Sequence, residues 1–267
     1  MKKLNKGITA PKGFQAAGLA AGIKKSGKPD MSLIYSEVPA TAAAVFTSNQ
    51  VKAAPVLLSK EIVRKGKVQA IITNAGNANC WTGERGLSDA ITMVNETAKA
   101  LGLSPQNVLV ASTGTIGNPL PMPKIKKGIR LIAKKLSVSG GEDAARAILT
   151  TDKTLKQIAV KVGKVTIAGI AKGSGMIEPG MGTMLGYITT DAKIDQKVLQ
   201  KILQQAVNKS FNMISVDNCM STNDTVFALA NGLAGKPDLR EFAKSFEFVC
   251  EYLAKEIARD GEGATKL

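Results

Sequence analysis

The sequence predicts a mixed α/β (α+β) fold, with strands and helices interleaved in layers around one sheet system. Three observations lead there. Strand-sized apolar runs alternate with helix-length amphipathic ones, Gly-, Asn- and Pro-rich breaks separate them, and 44% hydrophobic residues over 267 positions supply a core for one large domain or two smaller ones.

Taken in order, the first 60 residues are rich in Ala, Gly and β-formers, with extended candidates at 32–38 and 43–47 and a turn at Ser26-Gly27-Lys28-Pro29-Asp30. A strand over 68–74 runs into the Gly/Asn loop Asn74-Ala75-Gly76-Asn77-Ala78-Asn79. Residues 87–101 read as a helix, with Ser88 as cap and Gly102 as stop. A strand over 107–111 then delivers Ser112-Thr113-Gly114. Helices are expected at 123–136 and 142–150, strands at 157–162 and 165–171 about the Gly163-Lys164 turn, and a further strand at 185–189. Asp195 caps a helix whose Val198, Leu199, Ile202, Leu203, Ala206 and Val207 follow helical spacing, and a last helix covers 239–258.

Composition excludes several chemistries. The chain has no histidine, so a Ser-His-Asp triad, a Cys-His pair and histidine-ligated zinc are all unavailable. Cys80, Cys219 and Cys250 are odd in number, far apart and in no CxxC spacing; they read as buried thiols, with neither a disulfide framework nor a metal site. The net charge of +15 raises nucleic acid as a partner, yet the lysines are spread along the chain, aromatics are 4% and no nucleic-acid-binding signature is present. They read as a solvated surface. No apolar stretch approaches the roughly 20 residues that span a bilayer, and the basic start at 1–6 has no apolar run behind it, so no membrane contact, no signal peptide and a cytoplasmic location are expected.

The segment from Lys172 to Gly186 holds several glycines between two strands. A Walker A loop would end in Gly-Lys-Ser/Thr before a helix, whereas here a strand follows Thr183, so nucleotide binding is poorly supported. Gly182 before a hydroxyl residue that opens a strand permits a second use. The Thr183 hydroxyl can attack the preceding carbonyl, cleave the chain and leave Thr183 as a new N-terminus. Its α-amine, with a reference pKa of about 7.7–8.0, then serves as base for its own hydroxyl, which answers the missing histidine. The residues alone leave this reading beside that of an ordinary Gly-rich turn.

Eight stretches resemble, in order, the ornithine acetyltransferase (glutamate N-acetyltransferase, ArgJ-type) family of arginine biosynthesis. They are Thr9-Ala10-Pro11-Lys12-Gly13-Phe14, Val51-Lys52-Ala53-Ala54-Pro55, Asn74-Ala75-Gly76-Asn77-Ala78-Asn79 with Thr82-Gly83, Ala111-Ser112-Thr113-Gly114, Thr150-Thr151-Asp152, residues 171–192, Ser221-Thr222-Asn223-Asp224-Thr225, and Arg259-Asp260-Gly261-Glu262-Gly263-Ala264-Thr265-Lys266. The resemblance implies the layered sheet-and-helix fold of the ornithine acetyltransferase/DmpA type. It implies self-cleavage between Gly182 and Thr183, giving an alpha chain of residues 1–182 and a beta chain starting at 183 and running to 267. Thr183 then carries the acetyl group from N-acetylornithine to glutamate, while Thr113 and Gly114 hold the oxyanion. Substrate contacts fall on Thr150 (with Thr151 as the neighbouring alternative), Lys172, Thr183 and Glu262. Lys172 suits an α-carboxylate and Glu262 an amine. No metal or redox cofactor is implied, acetyl-CoA is a co-substrate of some members, and the cleaved chains are expected to stay together as an alpha/beta heterodimer, paired into a heterotetramer.

There are departures. Gly182 and Gly180 stand where the family usually has Ala and Asn, which predicts a looser loop and slower cleavage, and Asn218-Cys219 replaces the usual Gly-Asp. Family members continue past the Glu262 motif, so an incomplete chain is expected. Two other activities fit the same residues: an N-terminal-threonine amidohydrolase or aminopeptidase with water as acceptor, and a non-catalytic basic module or inactive fragment.

Overall fold

The computed structural model describes residues 1–175, 184–216 and 220–261. Among these, nine strands form one sheet, flanked by six α-helices. The chain order is β1 (Lys2–Leu4), β2 (Phe14–Leu19), β3 (Met31–Phe46), α1 (Ala54–Val63), β4 (Lys67–Asn77), α2 (Gly83–Leu101), β5 (Val108–Thr115), α3 (Met122–Ala133), α4 (Gly141–Ala147), β6 (Lys156–Val162), β7 (Val165–Lys172), β8 (Leu185–Ala192), α5 (Gln196–Asn208), β9 (Thr225–Gly235) and α6 (Leu239–Arg259). The mixed α/β expectation holds.

The spatial order is β1-β6-β7-β8-β9-β3-β4-β5, with β2 paired to the first half of β3. The β4–β5 and β8–β9 pairs are parallel, and the remaining pairs are antiparallel. Alternation along the strands feeds two cores, as a period of two requires. Leu185, Tyr187, Phe227 and Leu229 point into one, which also gathers α1, α2, α3 and α4. Met184, Ile188, Val226 and Ala228 point into the other, packed under α5 and α6. In the first core Tyr187 stacks on Phe227 with ring centroids 5.9 Å apart, and its hydroxyl pairs with Thr73 at 2.8 Å. That bond removes the cost of burying a phenol.

Several expectations are corrected. The two strands read at 32–38 and 43–47 are one, β3, broken only by a register shift between Tyr35 and Ala40; Pro39 lies inside it and has no N–H for the ladder. The Asn74–Asn79 segment is not a loop throughout, because β4 runs to Asn77 beside β5, which itself continues through Thr113 and Gly114 to Thr115. Helix α2 starts at Gly83 with Thr82 at its N-cap, so Ser88 is interior and does not cap; Gly102 does end it, at φ 67°. Asp195 occupies the N-cap of α5 but its side chain makes no capping bond, whereas Asp238 caps α6 by accepting from Glu241 N at 2.9 Å. Helix α4 stops at Ala147, which leaves Thr150 on a connection. Cys80 and Cys250 are buried free thiols, as read from the sequence; Cys219 and Asn218 lie outside the described residues. Among the described residues no helix is long and apolar enough to cross a membrane, and no group of three or more acidic or Cys residues could hold a metal ion.

Candidate active site

Strands β4 and β5 end together in parallel register, Asn74 beside Ser112, Ala75 beside Thr113 and Gly76 beside Gly114, where the ladder becomes irregular. The irregularity is pinned by amides. Ser112 Oγ donates to Asn74 Oδ1 at 2.6 Å, Asn74 Nδ2 donates to the Asn77 carbonyl at 2.8 Å, and Asn223 Nδ2 donates to the carbonyls of Ala78 (2.6 Å) and Ser112 (2.9 Å). Gly114 has φ 131°, a region that L side chains rarely adopt, and a Cβ there would lie 2.3 Å from the Gly76 carbonyl carbon. Only glycine lets these strand ends approach so closely.

A cavity of about 610 Å³ opens beside this corner. Its lining brings together Thr113, Gly114, Thr150, Thr151 and Lys172, which lie far apart in sequence, with Lys24, Ser221, Thr222 and Asn223. Lys172 ends β7 and is 2% exposed; antiparallel pairing sets it opposite Leu185, two residues beyond Thr183 in the chain. Thr151 shares its hydroxyl with Ser174 at 2.7 Å, while Thr150 gives its N–H to Asp152 Oδ2 at 3.0 Å. Both threonines face the cavity, so the geometry does not separate them. Gly182, Thr183 and Glu262 lie outside the described residues.

A buried charge cluster joins the walls of the cavity. Lys156 Nζ, with its side chain fully buried, donates to Asp152 Oδ1 at 2.8 Å and to Asp260 Oδ2 at 2.5 Å. Asp152 Oδ1 also accepts from Gly173 N at 2.7 Å, and Asp260 Oδ2 from the N–H groups of Lys153 and Thr154 at 2.9 and 3.2 Å. The cluster therefore ties the Thr150–Thr151 connection to the residue after Lys172 and to the end of α6, two residues before Glu262. Burial alone would raise the Asp152 pKa, but Lys172 and Lys156 outweigh it and hold the carboxyl below its usual range. Lys172 thus adds a second positive charge beside Asp152.

Three residues of this site carried no legible signal. Lys24 sits in a lysine pair indistinguishable from other basic surface, yet it lines the cavity, with Nζ donating to the carbonyls of Pro29 (2.5 Å) and Leu149 (2.7 Å). Burial lowers its pKa; Asp30 and Asp152 oppose the shift and Lys172 adds to it. Lys156, just before the strand expected at 157–162, looks like any lysine of a solvated surface. Asp224 belongs to a matching stretch, but nothing in its neighbours reveals that it is buried, with Oδ1 accepting from Met184 N at 3.1 Å. Burial pushes its pKa up to about 8.

Comparison with known proteins agrees with the motif order. The ArgJ family profile matches residues 15–267. The arginine biosynthesis bifunctional protein ArgJ of Caldanaerobacter subterraneus subsp. tengcongensis is 52% identical, across 100% of this chain and 69% of that protein's length. Among solved structures, the ornithine acetyltransferase of Mycobacterium tuberculosis, complexed with ornithine, superposes with a TM-score of 0.65 at 41% identity, covering 68% of this chain and 98% of that one. The ArgJ protein of Bacillus halodurans gives a TM-score of 0.62 at 42% identity, covering 68% and 96%. The profile match over nearly the whole chain, and the relatives' identity well above what fold alone explains, show that this chain belongs to the ArgJ family of arginine biosynthesis.

Proposed function

We propose that the protein transfers an acetyl group from N-acetylornithine to glutamate through an acetyl-threonine at residue 183. The observation that carries the reading is the convergence of Thr113, Gly114, Thr150 and Lys172 on one cavity beside the start of β8, the strand that follows Thr183. In the first step the Thr183 hydroxyl attacks the Gly182 carbonyl and the peptide shifts to an ester; water hydrolyses the ester, freeing the Gly182 carboxylate and the Thr183 amine. One further observation is compatible with the cut. Strand β8 lies between β7, which precedes the junction, and β9, which follows it, so both products would stay in one hydrogen-bonded sheet as an alpha/beta heterodimer.

In transfer, the amine of Thr183 takes the hydroxyl proton as the oxygen attacks the acetyl carbonyl. Thr113 and Gly114 stabilise the oxyanion at the strained β4–β5 corner. The intermediate collapses with protonation of the leaving ornithine nitrogen, and the glutamate amine then attacks the acetyl ester by the reverse sequence. Lys172 receives the α-carboxylate common to both amino acids, Glu262 an amine, and Thr150 a polar group of the substrate. Acetyl-CoA, as a second donor, would acylate the same threonine. Assembly of two heterodimers into a heterotetramer belongs to the same proposal.

The test is to supply N-acetylornithine with and without glutamate and to follow N-acetylglutamate and free acetate. Glutamate-dependent formation of N-acetylglutamate is expected. Acetate release at a rate indifferent to glutamate would instead make the protein an amidohydrolase.

A further inference from the structure

We infer that Asp224 is the positioning residue of the nucleophile, holding Thr183 in line by gripping the N–H of Met184. The inference rests on the acetyl-threonine reading. Met184 follows Thr183 directly, so its nitrogen is one covalent bond from the Thr183 carbonyl carbon. That N–H donates to Asp224 Oδ1 at 3.1 Å, and the Met184 carbonyl accepts from Thr225 N at 3.3 Å. Residue 184 is therefore clamped on both sides, by Thr225, the first residue of β9, and by Asp224 just before it. Asp224 is itself anchored, since its carbonyl accepts from Thr47 N at 2.9 Å, just past the end of β3. The parallel β8–β9 ladder begins with Leu185 beside Thr225. Asp224 thus extends the ladder by one rung, with a side chain standing in for the backbone carbonyl.

The carboxyl is costly where it stands. It is fully buried, and Oδ2 has no hydrogen-bond partner among the described residues. The Ser221 and Thr47 hydroxyls and the Met184 N–H favour its charged form without offsetting that burial. Of these contacts, the bond to Met184 is the one that reaches the residue next to the nucleophile. Burial also keeps the carboxyl largely neutral near pH 7, with Lys172 the one charged side chain shown to act on it. A threonine released from this clamp would swing about the Met184 backbone, and a displacement of 1 Å at a reacting atom costs on the order of 10²-fold in rate.

The test compares Asp224→Ala and Asp224→Asn in the full chain, reading self-cleavage, kcat and KM for N-acetylornithine, with Thr183→Ala as control. Asp224→Ala is expected to cleave slowly and to lose about 10²-fold in kcat with KM within a few-fold of wild type. Asp224→Asn keeps an amide oxygen for the Met184 N–H and is expected to restore kcat to within a few-fold. If the alanine variant does not fold, Asp224→Ser, too short to reach Met184, supplies the same contrast. A truncated variant with wild-type kcat, a loss confined to KM, or an asparagine variant that folds but stays as slow as alanine would overturn the assignment. Transfer by Thr183→Ala would instead overturn the acetyl-threonine reading on which it rests.

Discussion

Replacing Gly114 with alanine tests the proposed oxyanion corner at a position where only backbone surrounds the added atom. The glycine sits at φ 131°, and a Cβ there would approach the Gly76 carbonyl carbon to 2.3 Å, the Asn77 nitrogen to 2.5 Å and the Gly76 Cα to 2.6 Å. All three atoms are backbone, so no side chain can swing aside. Ordinary contact begins near 3.4 Å, which requires the ends of β4 and β5 to part by about 1 Å. The strained dihedral adds on the order of 1–3 kcal/mol. Parting the strands would displace the Gly114 N–H proposed to hold the oxyanion, and loss of one such donor slows acyl transfer by roughly 10²–10³-fold. The assay is the rate of acetyl transfer to glutamate, with thermal unfolding measured on the same sample. Gly114→Ala is expected to lower Tm modestly and kcat by at least that factor. A folded alanine variant with kcat near wild type would refute the claim that this corner holds the charge.

Other substitutions probe the remaining walls. Thr113→Ala should leave the fold intact and slow transfer by roughly 10²–10³-fold, checked by kcat beside an unchanged unfolding curve. Lys156→Met strips the counter-charge from Asp152 and Asp260, both buried, and should cost about 3–5 kcal/mol in urea unfolding while raising KM, because the Thr150 connection loses its anchor. Acid should act through the same cluster. Asp152 is pulled below its ordinary 3.8 when folded, so its contribution to stability is complete above about pH 4 and is lost as the pH falls through the folded value. Urea midpoints measured downward from pH 5 should fall more steeply for the wild type than for Asp152→Asn.

The parts of the molecule legible in sequence share a local cause. The β6–β7 hairpin announces itself by Gly163-Lys164 between two apolar runs, and α5 by helical spacing behind Asp195. Helix α1 passes unnoticed because Ala53 precedes it with no capping side chain and Pro55 stands in its first turn. Strand β9 hides in an Ala-, Asn- and Gly-rich run whose strand character depends on pairing with β8 and β3. In the site, Thr113, Gly114 and Lys172 are readable only through family motifs, since nothing in local spacing says that they share a cavity. Asp260 and Lys156 lie 104 positions apart, and their pairing is a property of the fold alone. Asp224 looks like any polar residue before a strand; only the contact with Met184 gives it a role.

The central claim is that Thr183 is released by cleavage and then carries the acetyl group. The most direct measurement is mass spectrometry of the purified protein with N-terminal sequencing, before and after incubation with N-acetylornithine in the absence of glutamate. Two chains are predicted, one ending at Gly182 and one beginning at Thr183. The second should gain a single acetyl group on Thr183 that disappears when glutamate is added. A single uncleaved chain that nevertheless transfers acetyl groups, or an acetyl group trapped on any other residue, would contradict the account.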